Sequence, residues 1–164
     1  SAYRKQRVLG MFDPFQDPQG KTYHVYQLAL TLGSGGLFGQ GMGNSRQKFQ
    51  YLPETTTDSI MALVGEEFGF IGLTITIIVF GLLIFRSLKI AKQAPDSYGQ
   101  LLAAGITGLI AFQGLINLGA ISITLPLTGM PFPFVSYGGS SLITLMSLSG
   151  ILLNISKYKK LTRK

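Results

Sequence analysis

Four charged side chains between residues 46 and 58 form the part of the sequence that is best suited to catalysis. Arg46, Lys48, Glu54 and Asp58 stand directly ahead of a long apolar segment, where charge meets the outer face of a membrane. A carboxylate that is near water and next to cations can act as a general base and take a proton from an attacking group. Asp58 is therefore the candidate base.

Asp58 also has a purely structural interpretation. Thr56 or Thr57 can cap the helix that is predicted to follow, and an acidic residue in the first turn of that helix is stabilised by the helix dipole. A helical projection at about 100° per residue places Asp58 at the end of a stripe of small residues that permits close helix packing. The other members of this stripe are Ala62, Gly65, Gly69 and Gly72.

Two further carboxylates, Glu66 and Glu67, lie about 12 Å deeper along the same predicted helix. A carboxylate at membrane depth is costly and indicates either function or a polar interior. The two side chains are rotated by about 80° and 180° from the face of Asp58, so they cannot both point into one cavity. We favour structural pairing over catalysis, with one carboxylate buried and the other near the surface.

Polar residues in the later apolar segments have a simple structural explanation. Gln113 and Asn117 share one helix face, and interhelical hydrogen bonding is preferred there to a polar substrate groove. The third segment carries a similar stripe, also interpreted as interhelical, at Ser140, Thr144, Ser147 and Asn154. The single histidine, His24, has no metal-ligand spacing and is interpreted as a surface or interfacial residue.

A glycine-rich stretch, GSGGLFGQGMGNS, occupies residues 33–45. It lacks the Lys-Ser/Thr of a phosphate loop and the preceding strand of a dinucleotide fingerprint. Flexible backbone at a membrane surface and a backbone site for substrate phosphates are both left open. The apolar residues 23–32 just before it are too few to span a bilayer, so an interfacial or re-entrant helix is expected there.

The elements that position these residues are predicted from composition. Only 13% of residues are charged, against roughly 25% in soluble domains, and none lies between Asp96 and Lys157. This excludes a water-soluble fold, and the absence of cysteine excludes disulfides and thiolate metal sites. We expect an all-α membrane protein, a fragment of a polytopic helical bundle. Residues 1–58 form an extracytoplasmic loop, and residues 59–164 hold three transmembrane helices, at about 59–85, 101–123 and 137–155.

Many of the cations behind the net charge of +7 are clustered just after the predicted spans. This position is typical of membrane proteins and argues against a nucleic-acid partner. Arg86, Lys89 and Lys92 follow the first span, and five cations close the chain after the third. The positive-inside rule places both groups in the cytoplasm, beside membrane lipid. The Pro-rich connection at residues 125–139 then faces outward as a tight or re-entrant loop.

Several separated motifs together resemble one family. They are DPQG at 17–20, GSGGLFGQGMGNSRQKFQYLPE at 33–54, TDSIMALVGEEFGFIG at 57–72, RSLKIA at 86–91, QGLINLGA at 113–120 and PLTGMPFPFVSYGGSSL at 126–142. The sequence is similar to the C-terminal part of the SEDS (shape, elongation, division and sporulation) family, and NSRQK favours its FtsW-like division branch.

The resemblance implies a peptidoglycan glycosyltransferase that polymerises lipid II on the outer face of the cytoplasmic membrane at the division septum. It implies a class B penicillin-binding protein and other division proteins as partners. Asp58 occupies the position of the family's essential acid, although Thr56 and Ser59 replace the usual His and Phe around it. Arg46 and Lys48 would stabilise the pyrophosphate leaving group, with a divalent cation such as Mg²⁺ or Mn²⁺ also plausible.

The remaining substrate-binding residues implied are Glu54 and, around the outer cavity, Ser136, Gly138, Gly139 and Ser140. Two alternatives are a lipid II flippase and a non-catalytic scaffold of the division machinery. The fragment by itself is expected to be inactive.

Overall fold

The computed structural model describes residues 23–41, 59–126 and 129–158. These residues form four helices and no strand: α1 Tyr23–Ser34, α2 Ile60–Gln93, α3 Ser97–Ile121 and α4 Gly139–Lys157. Helices α2, α3 and α4 are long and apolar enough to cross a membrane. The predicted all-α membrane fold with three spanning helices is therefore confirmed.

Helix α2 is longer than the first predicted span because it continues through the basic residues at 86–92. Its 34 residues measure about 51 Å, against about 30 Å for the hydrocarbon core. It ends where Pro95 forces the preceding Ala94 into an extended conformation. Asp96 then caps α3, because its carboxylate oxygen Oδ2 accepts a 2.8 Å hydrogen bond from the Gly99 amide.

The described start of α2 is Ser59, which stands at the N-cap and makes no side-chain capping bond. Thr56, Thr57 and Asp58 lie outside the described residues, so the capping explanation of Asp58 stays a prediction.

Helix α2 is broken at Gly69, whose torsions of φ 68° and ψ −164° are not helical. The two backbone bonds that a continuous helix would form here join Phe70 to Glu66 and Ile71 to Glu67. Both bonds are replaced by bonds to the glycine-rich turn after α1. Within a membrane such groups must find partners in the protein, since each unpaired group costs several kcal/mol.

The turn supplies one partner for each of the four separated groups. The amides of Gln40 and Gly41 donate to the carbonyls of Glu66 and Glu67 at 2.9 and 3.1 Å, respectively. The amides of residues 70 and 71 donate to the carbonyls of Gly36 and Leu37 at 2.9 and 3.3 Å, respectively. We call this pairing of residues 35–41 with residues 65–71 the glycine contact.

Glycine is required where the two backbones meet. A Cβ atom on Gly35 would overlap the carbonyl oxygen of Gly65, and one on Gly39 would overlap that of Glu67. Gly39 and Gly69 also have positive φ values, which side chains rarely tolerate. The predicted stripe of small residues therefore packs against a turn of the same chain.

Two apolar clusters hold the helices together. One joins the far end of α2 to α3 and α4, and the other joins α1 and the start of α2 to the end of α3 and to Phe132. The rings of Phe80 and Phe132 lie 4.9 Å apart and tilted by 52°. The half of α2 before the break, α1 and the Pro-rich connection therefore lie at the same end of the bundle.

The polar stripe of α4 does not join helices among the described residues. Thr144 donates to the carbonyl of Ser140, and Ser147 donates to that of Ile143, so both bonds lie within α4. The side chains of Ser140, Thr144 and Ser147 are exposed. Asn154 is exposed as well. The described bonds of this stripe lie within α4, because a hydroxyl can bond to the carbonyl one turn earlier in its own helix, and its interhelical role stays a prediction.

We expect Gly69→Ala to destabilise the protein by at least about 2 kcal/mol, because alanine must adopt a positive φ and its Cβ would overlap Gly39 and Leu37. Gly81→Ala is the control, since its Cβ meets nothing within 4 Å among the described residues and alanine favours the helix by about 1 kcal/mol. Thermal unfolding of the full-length protein in detergent measures both variants. Equal melting temperatures would contradict the role assigned to the break.

Candidate functional site

The predicted catalytic and cationic residues Asp58, Arg46, Lys48 and Glu54 lie outside the described residues. The structure does describe both flanks of the segment that carries them. At one flank Gly41 donates to the carbonyl of Glu67, as described above. At the other flank stands Ser59, about 12 Å from Glu67 along the same helix. Both ends of residues 42–58 are thus attached to one short helical segment, residues 59–67.

The two carboxylates beside this attachment differ in exposure. Glu66 is 1% exposed, whereas Glu67 is partly exposed. Their backbone carbonyls receive the turn, so the helix break and the acidic pair coincide. Glu66 belongs to the protein interior and Glu67 to its boundary.

Three uncharged polar residues that the sequence analysis did not select are also buried in α1 and at the start of α2. They are Gln27, Thr31 and Ser59, and Thr31 donates a 2.7 Å hydrogen bond to the carbonyl of Gln27. The hydroxyl of Ser59 has no hydrogen-bond partner among the described residues. The sequence could have indicated the pair in α1, because a spacing of four residues places Gln27 and Thr31 on one face of a short apolar helix.

The described part of the glycine-rich stretch, residues 33–41, fits neither of the two functions considered for it, and residues 42–45 lie outside the described residues. The amides of Gly39, Gln40 and Gly41 all donate to carbonyls of the chain, so they are not offered to a phosphate. The backbone is fixed by these bonds rather than being a flexible surface strand. Its glycines permit close contact between two backbones.

Among the described residues, Gln113 and Asn117 donate hydrogen bonds to the Pro-rich connection. The Gln113 amide donates to the carbonyl of Pro131 at 2.9 Å, and the Asn117 amide donates to that of Met130 at 2.7 Å. Asn117 is 1% exposed. The prediction of interhelical bonding is corrected to helix–loop bonding, because loop carbonyls at membrane depth need donors.

The same loop contains the predicted residues of the outer cavity. The hydroxyl oxygen of Ser136 accepts a 2.7 Å hydrogen bond from the amide of Phe132, and its hydrogen can still be donated elsewhere. Phe134 has a positive φ of 66°, a strained value for a residue with a side chain.

Gly138, Gly139 and Ser140 begin α4, and the last two are exposed. Because Phe132 packs with the start of α2, the structure places this loop at the same end of the bundle as the flanks of residues 42–58.

No group of three candidate metal ligands occurs among the described residues. Glu66 and Glu67 are the only carboxylates of the described part at this end, and two side chains with different exposure do not define a metal site. The described part therefore does not provide a ligand set for Mg²⁺ or Mn²⁺.

Comparison with known proteins identifies consistent relatives. A family described as cell cycle protein, comprising FtsW, RodA and SpoVE, matches residues 1–161. Stage V sporulation protein E of Bacillus subtilis is 46% identical over 96% of this chain and 43% of its own length. A probable peptidoglycan glycosyltransferase FtsW of Geobacter sp. (strain M18) is 45% identical over 94% of this chain and 42% of its own length.

Two solved structures share the fold. One belongs to a peptidoglycan synthase complex that coordinates polymerization and crosslinking, with a TM-score of 0.72, 29% identity and coverage of 96% of this chain and 42% of that one. The other is an aspartate-to-alanine mutant of the rod shape determining protein RodA of Thermus thermophilus, with a TM-score of 0.61, 31% identity and coverage of 92% and 47%. The chain spans less than half the length of the relatives it matches.

We expect Asn117→Ala to free the Pro-rich loop, because the carbonyl of Met130 would lose its donor, at a cost of about 1–3 kcal/mol. Amide hydrogen exchange at Phe132, Val135 and Ser136 should become faster. The exposed Asn154 provides the control, and Asn154→Ala should leave exchange in this loop unchanged. Unchanged exchange in both variants would show that Asn117 does not hold the loop.

Proposed function

Because the chain belongs to the FtsW, RodA and SpoVE family of cell cycle proteins, we propose that it forms the Asp58-bearing part of a peptidoglycan glycosyltransferase that polymerises lipid II. The observation that carries the proposal is 45% identity, over 94% of the chain, to a protein named probable peptidoglycan glycosyltransferase FtsW. These residues alone are expected to be inactive, since they correspond to less than half of that relative.

In the proposed reaction, the carboxylate of Asp58 takes the proton of the acceptor sugar's 4-hydroxyl while its oxygen attacks the anomeric carbon of the donor. The new glycosidic bond forms as the bond from that carbon to the lipid pyrophosphate breaks. The pyrophosphate leaves with the bonding electrons, and the positive charges of Arg46 and Lys48 stabilise it. Asp58 then carries the proton, which it releases to solvent.

The geometry of the described residues supports a compact site around Asp58. Both described flanks of residues 42–58 are attached to the first part of α2: Gly41 donates to the carbonyl of Glu67, and Ser59 begins the helix. The loop with Ser136 lies at the same end, where Glu54, Ser136, Gly138, Gly139 and Ser140 are proposed to bind substrate. Holding two sugars in a fixed geometry lowers the activation free energy of the reaction that joins them by several kcal/mol.

The length of α2 supports placing this end at the outer face of the membrane. From Gly69 to Arg86 the helix measures about 26 Å, close to the thickness of the hydrocarbon core of about 30 Å. With Arg86 at the cytoplasmic interface, the break lies near the opposite surface, and the preceding helical turns reach the outer interface. The basic C-terminal tail is then cytoplasmic.

The proposed partners are a class B penicillin-binding protein and other division proteins, with action at the septum. The match to a chain in a peptidoglycan synthase complex supports a crosslinking partner. The division role is supported by the FtsW relatives.

Asp58→Asn in the full-length protein, purified with its penicillin-binding protein, should abolish the conversion of labelled lipid II into glycan chains, because an amide cannot take the proton. Asp96→Asn is the matched control, since asparagine also caps helices and Asp96 lies beyond the other end of α2. Equal activity of the wild type and Asp58→Asn would require another base.

The same assay separates the alternatives, because it supplies lipid II directly and needs no flipping. A flippase or scaffold would form no glycan chains in this assay, even as the wild type. A scaffold would also retain its division function in cells after Asp58→Asn.

We also propose that a divalent cation assists the reaction, although none of the bond changes above depends on it. Mg²⁺ or Mn²⁺ would supply positive charge to the pyrophosphate. Chelation with EDTA should then lower the polymerisation rate at least about tenfold, and either ion should restore it. An unchanged rate would contradict the proposed role of the cation and would leave the proposed role of Asp58 unaffected.

A further inference from the structure

The glycine contact joins two parts of the chain that flank the proposed catalytic segment. Gly41 lies at the end of the turn, and Ser59 begins the helix against which the turn packs. The distance between these two positions therefore depends on how closely the turn approaches α2. That approach is set by backbone atoms, since the four hydrogen bonds of the contact all join backbone groups.

Among the glycines of the turn, Gly35 is the one whose added Cβ would come nearest to the first part of α2. A Cβ added there would overlap the carbonyl oxygen of Gly65 and lie 2.8 Å from its carbonyl carbon. Backbone atoms of α2 cannot rotate away as a side chain can. Any side chain at position 35 must therefore move the turn away from the helix or break its hydrogen bonds.

We infer that Gly35 is a positioning residue of the proposed glycosyl transfer, and this inference rests on the proposed function. By allowing the turn to pack against Gly65, it fixes Gly41 relative to Ser59, and these are the two described flanks of the segment that carries Asp58. Gly35 touches neither substrate nor the reacting atoms. Its effect should appear in the chemical step rather than in the binding of lipid II.

The test compares Gly35→Ala with Gly33→Ala in the full-length protein purified with its penicillin-binding protein. Gly33 lies two residues away in α1, and its Cβ would meet nothing within 4 Å among the described residues. Labelled lipid II gives the binding stoichiometry, KM and kcat per binding site. We expect Gly35→Ala to lower kcat at least about tenfold with KM within about twofold, and Gly33→Ala to match the wild type.

A third variant separates positioning from loss of stability. Leu152→Ala removes a buried side chain from the cluster at the other end of the bundle. It should lower the melting temperature and keep kcat per binding site unchanged. If Gly35→Ala loses activity only in proportion to its loss of binding sites, as a merely destabilised protein would, the inference is overturned.

Gly65→Ala provides a milder change if Gly35→Ala does not fold. Its Cβ would lie 2.8 Å from the tip of Leu73 and 3.1 Å from the tip of Leu32, both flexible side chains. We expect a partial loss of kcat that the second substitution Leu73→Ala restores. No loss in Gly65→Ala, or a loss that Leu73→Ala leaves unchanged, would contradict the inference.

The outcomes also separate the inference from the proposed function. If the wild type polymerises lipid II, Asp58→Asn does not and Gly35→Ala matches Gly33→Ala, the inference alone fails. If the wild type forms no glycan chains, the proposed function fails and the inference falls with it.

Discussion

Backbone hydrogen bonding at the break in α2 is the constraint on which the rest of this structure depends. A helix inside a membrane satisfies its own polar groups, and a break at Gly69 removes two of those bonds at once. Lipid offers no replacement, so another part of the chain must provide it. The turn after α1 does so with four bonds, which explains why a helix too short to span the bilayer is held against the spanning helix.

The glycine content follows from this constraint. Hydrogen bonds between two backbones require them to approach within about 3 Å, and a side chain at Gly35 or Gly39 would keep them apart. Gly39 and Gly69 also provide the positive φ torsions that turn the chain. A glycine-rich stretch of this kind has the composition of a phosphate loop, but its donors are used within the protein.

The carbonyls of the Pro-rich connection also need hydrogen-bond partners, and here side chains provide them instead of backbone groups. Gln113 and Asn117 supply amide donors from α3 to carbonyls of a loop that cannot form a helix, and Phe132 anchors the loop in the apolar interior. Strain at Phe134 is maintained by these surrounding contacts. Two irregular segments, each with described hydrogen bonds to a neighbouring helix, therefore lie at the same end of the bundle, where the substrate-binding residues are proposed.

The sequence by itself determined the fold class, the three spans and the family, because apolar length, the spacing of cations and ordered motifs are properties of the linear chain. It also singled out the stripe containing Gly65 and Gly69. Only the tertiary structure decided what that stripe contacts, where α2 breaks and which carbonyls Gln113 and Asn117 bind. Helical periodicity gives the direction of a side chain but not its partner, since a hydrogen-bond donor can be satisfied equally well by a helix, a loop or its own preceding turn.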